Sequence, residues 1–263
     1  GGEGRAEGAA ADQTLRPWSR KEMIKRIVNS ATYRQSSKNR PDLVDRDTTN
    51  TLLARQTRYR LEAEIVRDLY LAASGLLTPT VSGPSVRPPQ PAGISDLTYA
   101  GSAKWVESTG ADRYRRGMYT FFQRTSPYPM LMTFDSPDGV VCSVRRERSN
   151  TPLQALTLLN DGVFVESARA LARRGIKEAS SAEPPERIRY AFRLCMAREP
   201  SAGELARLTV LYSELLRACE SDSDASAKLV GNTSFEGVPP AESAATVALA
   251  RTILNLDEFV TRE

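Results

Sequence analysis

TLLARQTRYRLEAEIVRDLYLAASG, residues 51–75, sets the expected fold. Leu61, Ile65, Leu69 and Ala72 recur at helical spacing, and Tyr59, Ala63, Val66, Tyr70 and Ala73 form a neighbouring stripe. Two adjacent stripes make a wide apolar arc, which predicts a long, centrally packed helix over 51–74. Asn50 stands where an N-cap belongs, and Gly75 stands where a helix stops.

Upstream, SRKEMIKRIVNS (19–30) reads as a short amphipathic helix. Ser19 and Glu22 are placed for a capping box, and Met23, Ile24, Ile27 and Val28 lie at helical spacing. The polar, Pro-broken stretch after it reads as a loop, and residues 1–15, small and charged, read as a disordered linker. Downstream, residues 76–112 hold SGPSVRPPQP, which favours extended backbone pinned against a surface. MYTFFQRT (118–125), PMLMTF (129–134) and VVCSV (140–144) have the length and composition of short strands.

Helical signals return after Asn150. Thr151-Pro152 opens one helix that ends at Asn160-Asp161-Gly162, and a second runs from Val163 to Arg174 with Gly175 as its stop. Pro184-Pro185 opens a third, and Ser201 with Glu204 forms a capping box for a fourth. Residues 219–238 read as a flexible loop, and a final helix spans 240–260. The expected fold is mainly α: an irregular helical domain of about seven helices, with a small β-hairpin or three-stranded patch and a long proline-rich loop. Residues 16–263 read as a single domain, with a core over 16–175 and a C-terminal helical subdomain over 176–263.

Composition removes whole classes of chemistry. The chain has no histidine, so Ser-His-Asp and Cys-His nucleophiles cannot be assembled within it, nor can a His-ligated zinc or a CxxCH haem site. Its three cysteines, Cys142, Cys195 and Cys219, are too sparse for a metal knuckle, and each reads as a small buried hydrophobe. No apolar run approaches the ~20 residues of a membrane span.

The net charge of +4 is concentrated. Seven arginines (Arg113, Arg115, Arg116, Arg124, Arg145, Arg146, Arg148) stand against Asp135, Asp138 and Glu147, and 7 − 3 accounts for all of it. No lysine lies between Lys104 and Lys177. That bias suits planar, bidentate contacts to carboxylates, phosphates or carbonyls.

Two readings of this segment follow. In the first and stronger one, its arginines form internal ion pairs and pin the proline-rich stretch. In the second, Arg116, Arg124, Arg145, Arg146 and Arg148, with Asn150 and Gln154, bind an anion such as an acidic glycan. Asp135, Asp138 and Glu147 are the candidates for an acid pair acting on polysaccharide or for hard-cation ligands, although Asp in a D-x-x-D turn usually bonds local backbone. Asn150, Gln154, Asn160 and Asp161 also suit helix caps and polar satisfaction. No nucleic-acid-binding module is recognisable.

GPSVRPPQP (83–91), YRRGMYTFFQRTSPYP (114–129), FDSPDGVVCSVRRERSNTPLQALTLLND (134–161), FVESARALARR (164–174) and LNLDEFVTRE (254–263) occur in that order. With SATYRQSS (30–37) they resemble the planctomycete-specific, cytochrome-c-associated domain of unknown function fifteen-fifty-three, over residues 18 to 263. The resemblance implies the C-terminal region of a large exported protein. A c-type haem module would then sit upstream rather than in this chain, the upstream domains would be its partners, and its location would be extracytoplasmic. It implies no reaction. The glycine pair usual before PSV appears here as Ser82-Gly83.

Overall fold

The computed structural model describes residues 18–43, 45–91, 93–94, 104–233 and 235–262, so the expected linker at 1–15 lies outside the described residues. The described residues fall into two compact units, one ending at Arg58 and one spanning Tyr59–Arg262. The boundary therefore falls at Arg58, and the helix that crosses residue 175 is unbroken.

In the first unit, α1 (Arg20–Asn29) starts where Ser19 accepts a hydrogen bond from the Glu22 amide. Met23, Ile24, Ile27 and Val28 lie on its exposed surface. The chain then loops from Ser36 to Gln56, closed by the Gln56 amide donating to the Ser36 carbonyl at 3.0 Å. This loop replaces the first half of the helix expected over 51–74. Asn50 and Leu53 have φ of 56° and 52°, left-handed values that no α-helix can include. Asp47 also takes the Thr51 and Leu52 amides at 2.6 and 2.9 Å. Asn50 is thus a loop anchor rather than a helix cap.

The second unit opens with β1 (Tyr59–Arg60), and α2 (Ala63–Ser74) follows, stopped by Gly75 at φ 75°. Of the two apolar stripes, Ala63, Val66, Tyr70 and Ala73 are buried, whereas Ile65 and Ala72 are exposed. The central helix is therefore half the expected length and fully buries one stripe, while Leu61 and Leu69 of the other are partly buried against the core.

Over residues 82–91 the proline-rich stretch is extended and pinned, as its composition predicts, whereas residues 92 and 95–103 lie outside the described residues and Gly110–Tyr114 make a 3-10 turn. Val86 exchanges backbone bonds with Tyr119 and Phe121, Trp105 Nε1 donates to the Pro88 carbonyl at 2.7 Å, and Tyr128 Oη donates to that of Pro89 at 2.8 Å.

The three strand candidates take other forms. Residues 117–119 make a 3-10 turn, with an isolated bridge from Thr120 to Val86 beyond it. Pro129 opens α3 (Pro129–Thr133), since a fixed φ and missing N–H suit a helix start. Val140, Val141 and Val144 lie in an exposed bend without a partner strand among the described residues. The sheet forms elsewhere. β1 pairs antiparallel with β2 (Thr261–Arg262), in the register Tyr59 to Arg262 and Arg60 to Thr261.

α4 (Pro152–Asn160) is capped by Thr151, and α5 (Gly162–Glu178) by Asp161, whose carboxylate accepts from the Val163 amide. Gly175 does not stop α5; it is buried within it, and a Cβ there would lie in ordinary contact with the Arg187 carbonyl at 3.7 Å. α6 (Pro184–Met196) follows, then α7 (Ala202–Ser221), which has the Ser201–Glu204 capping box. The expected flexible loop at 219–238 is largely helical: Asp222 caps α8 (Ser223–Val230) through the Ala225 amide. α9 (Pro240–Leu254) ends earlier than expected, and a 3-10 turn continues over Asp257–Val260.

α9 packs against α5, α7 and α8, and α5 also packs against α2. Ala168 and Ala172 on α5 and Ala244, Ala245 and Ala250 on α9 are buried, so small side chains allow close approach. Tyr70 ties this core together. Its ring lies 4.5 Å from Phe164 and 5.2 Å from Phe259, and its hydroxyl donates to the Leu254 carbonyl at 2.7 Å. The fold is mainly α with a small antiparallel sheet, and no helix among the described residues is long and apolar enough to cross a membrane.

Candidate functional site

α2 turns its apolar stripe to the core and leaves Glu62, Glu64, Arg67 and Asp68 for the Arg-rich segment. Arg146 grips Glu64 in a bidentate pair at 2.7 and 2.9 Å and reaches Glu62 at 3.4 Å. Arg148 meets Glu62 at 3.3 Å and lies over the Tyr59 ring. Burial acts to raise the Glu64 carboxyl, but the Arg146 guanidinium outweighs it and holds the group below the usual carboxylate range. One turn further on, Arg116 Nε and the Gly117 amide donate to the two oxygens of Asp68 at 2.7 and 2.6 Å. Arg113 pairs with Glu166 of α5 at 3.1 Å, and the Tyr114 hydroxyl donates to the other oxygen of that carboxylate at 2.7 Å.

Arg115 does the pinning. It is buried against the Tyr119 ring at 3.8 Å. Its guanidinium donates to the carbonyls of Pro84, Thr80 and Ser82. Ser82 and Gly83 both have positive φ, 68° and 95°. Ser82 is held in that conformation although it carries a side chain: its amide donates to the Tyr119 hydroxyl and its carbonyl accepts from Arg115.

Asp135, the first carboxylate candidate, is occupied. With φ 59° it turns back to accept from the Ser149 amide at 2.7 Å and the Ser149 hydroxyl at 2.8 Å. The buried Gln154 amide joins them, donating to Ser149 Oγ and the Thr133 carbonyl, both at 3.1 Å, and to Asp135 at 3.4 Å. This clasp ties the end of α3 to the start of α4. Asp138 is exposed and accepts from the Val140 amide at 2.9 Å, the local turn that its spacing suggests.

Glu147 is exposed at the rim of a recess that Asp135, Arg146, Arg148 and Gln154 also line. The recess holds about 10 Å³, the space of roughly one water molecule. Arg60 Nε and Gln154 Oε1 are buried there without a partner among the described residues, one a donor and the other an acceptor. A sugar ring does not fit, and the Asp135 carboxylate already holds three donors.

The structure therefore brings Asp135, Glu147, Arg146, Arg148 and Gln154 together and sets Arg116 apart on Asp68. Arg124, Arg145 and Asn150 are exposed. The residues that sequence reasoning missed are the acceptors Glu62, Glu64, Asp68 and Glu166. The i, i+4 spacing of Glu64 and Asp68, opposite an apolar stripe, was the available signal.

The cysteines separate in character. Cys142 is exposed, against expectation, in a bend whose valines also face outward; all three thiols are free. Burial pushes the Cys195 thiol up to about 12. A thiol reagent at about pH 8 is expected to modify Cys142 at once and Cys195 only on unfolding. Equal labelling rates in the native chain would contradict this burial pattern.

The residues present do not fit a covalent haem, since the chain has neither histidine nor a CxxC spacing. Among the described residues no group of three or more cysteine, aspartate or glutamate side chains is placed to hold a metal ion.

A family model described as PSD1, protein of unknown function (DUF1553), matches residues 10–212. The match takes in the arginine clamp, the Asp135 clasp and the proline-rich stretch, and stops within α7. No curated protein and no solved structure matches the chain. Covering well over half of the sequence, and with it every residue of the clamp, the match places this chain in the DUF1553 family of proteins of unknown function.

Proposed function

We propose that this chain is a non-catalytic scaffold and docking module of a larger exported polypeptide associated with c-type cytochrome modules, and that those modules are its partners. The observation that carries the reading is the contrast within residues 138–149. The base of this loop is fastened by Asp138, Arg146 and the Asp135–Ser149 clasp. Its tip carries Val140, Val141 and Val144 outward, at 60%, 73% and 105% exposure, beside exposed Arg145. A rigid base that presents apolar side chains is suited to contact with another protein surface. Export and the haem association rest on the resemblance of motifs alone.

The test is titration calorimetry of this chain against the separately produced upstream modules. Val141→Asp combined with Val144→Asp is expected to weaken association by at least about tenfold, with the thermal midpoint unchanged because both side chains are exposed. Unaltered binding by the double variant, or no association by the wild type, would overturn the reading. Hydrolysis of polysaccharide that depends on Asp135 or Glu147 would replace it with an enzymatic one.

A further inference from the structure

The Arg-rich segment contains the expected arginines, but most of them are engaged internally. The first unit offers a different arrangement. The loop from Ser36 to Gln56 encloses an open cleft of about 190 Å³. A cavity of about 150 Å³ already accommodates a six-membered ring. Asn39, Asp47, Asn50 and Arg55 supply its polar groups, and Leu43 and Ala54 supply apolar surface.

The loop that forms the cleft is internally braced. Asp47 holds the Thr51 and Leu52 amides, one on each carboxylate oxygen. The Asn50 side chain, in a residue 8% exposed, donates to the Arg55 carbonyl at 2.7 Å and accepts from the Arg55 amide at 3.2 Å. Those bonds fix the Arg55 backbone. Its guanidinium makes no hydrogen bond, ion pair or ring contact among the described residues, and neither does the Asn39 amide. Arg40, also at the cleft, is already matched by Asp42 through two bonds at 3.0 and 2.7 Å. One guanidinium without a direct partner among the described residues therefore stands in a cleft whose other groups, the Asp47 carboxylate included, suit hydroxyls.

We propose that this cleft binds a carboxylate-bearing monosaccharide unit, a uronic acid. Arg55 takes the carboxylate through its planar fork, the geometry in which guanidinium and carboxylate match. The Asn39 amide donates to and accepts from ring hydroxyls, and the remaining lone pairs of Asp47 accept hydroxyl protons. Leu43 and Ala54 pack on the C–H face of the ring. A phosphate fits less well, because one free guanidinium faces it while the Asp47 carboxylate repels a dianion. The inference concerns the first unit and is independent of the docking loop at 138–149.

Saturation-transfer NMR and calorimetry on the full chain test it, with glucuronate and galacturonate as probes and with glucose and inorganic phosphate as comparators. One uronate is expected to bind saturably, with glucose weaker by at least about tenfold, the loss of a charge-assisted contact. Arg55→Gln should bring uronate binding down to the glucose level, and Asn39→Ala should weaken both sugars. Neither side chain holds the fold, so the thermal midpoint should stay unchanged. Arg145→Gln, in the other unit, should bind as wild type. Absence of saturable binding by either uronate, phosphate binding as tightly as uronate, or an Arg55→Gln variant that binds like wild type would each overturn the proposal.

Discussion

Gly117→Ala is expected to destabilise the chain by about 3 kcal/mol, which corresponds to a fall of about 10 °C in the thermal midpoint. A glycine-to-alanine change at an unstrained position normally gives a slight gain, because it restricts the unfolded chain. Here the sign reverses. A Cβ at 117 would sit 2.6 Å from the Glu64 carbonyl oxygen and 2.7 Å from its Cα, both backbone atoms of α2. Neither can rotate away, so the 3-10 turn over residues 117–119 must back off the helix.

That retreat would stretch the Gly117 and Arg116 bonds to Asp68 and misalign the Arg146 grip on Glu64 one turn earlier. Comparing Gly117→Ala with Asp68→Ala separates the two contributions. The glycine variant should cost more, since it loses both the approach and the bonds. Calorimetric unfolding is the measurement, and a neutral or stabilising Gly117→Ala would show that the turn does not lie against α2 this closely.

Asp135→Ala is expected to cost a similar amount, about 3–4 kcal/mol, and Asp135→Asn about half as much. The alanine variant loses the acceptor of the Ser149 amide, the Ser149 hydroxyl and Gln154 Nε2, and bonds to a charged group contribute about 1.5–3 kcal/mol each without being additive. It also leaves alanine in a left-handed conformation that disfavours L-residues by about 1–2 kcal/mol. Asparagine tolerates that conformation better and retains one acceptor oxygen, which accounts for the smaller loss. A general acid working in an open site would show the opposite pattern, with activity lost and stability kept. Denaturant titration of the three proteins decides between them: an unchanged midpoint for Asp135→Ala would restore it as a candidate for chemistry.

Both predictions depend on contacts that no local pattern discloses. Arg113 to Arg148 was legible as a charged, lysine-free segment, and its preference for bidentate partners follows from guanidinium geometry. The identity of the partners was not. Glu62 and Glu64 lie 82–86 residues from the arginines that hold them, and no spacing rule spans that distance. The short apolar runs at 118–134 illustrate the same limit, because a few consecutive apolar residues suit a strand, a 3-10 turn or a buried helix equally. Pro129 carried the overlooked hint, since proline at the first position of a run favours a helix start.

What the sequence determined by itself is local. Ser19, Thr151 and Ser201 cap the helices they were expected to cap, and proline opens α4, α6 and α9, because caps and fixed φ act within one turn of chain. The absence of histidine likewise removed whole classes of chemistry before any fold was considered. The tertiary structure decided where α2 begins, since Asp47 and Asn50 draw residues 50–55 into a loop, and which strands pair, since β1 meets a segment some 200 residues away. It also decided that Asp135 braces two helices, and that Arg55 stands at a cleft with no partner for its guanidinium among the described residues. Such outcomes depend on which distant groups meet in space, and a one-dimensional pattern of residue types does not contain that information.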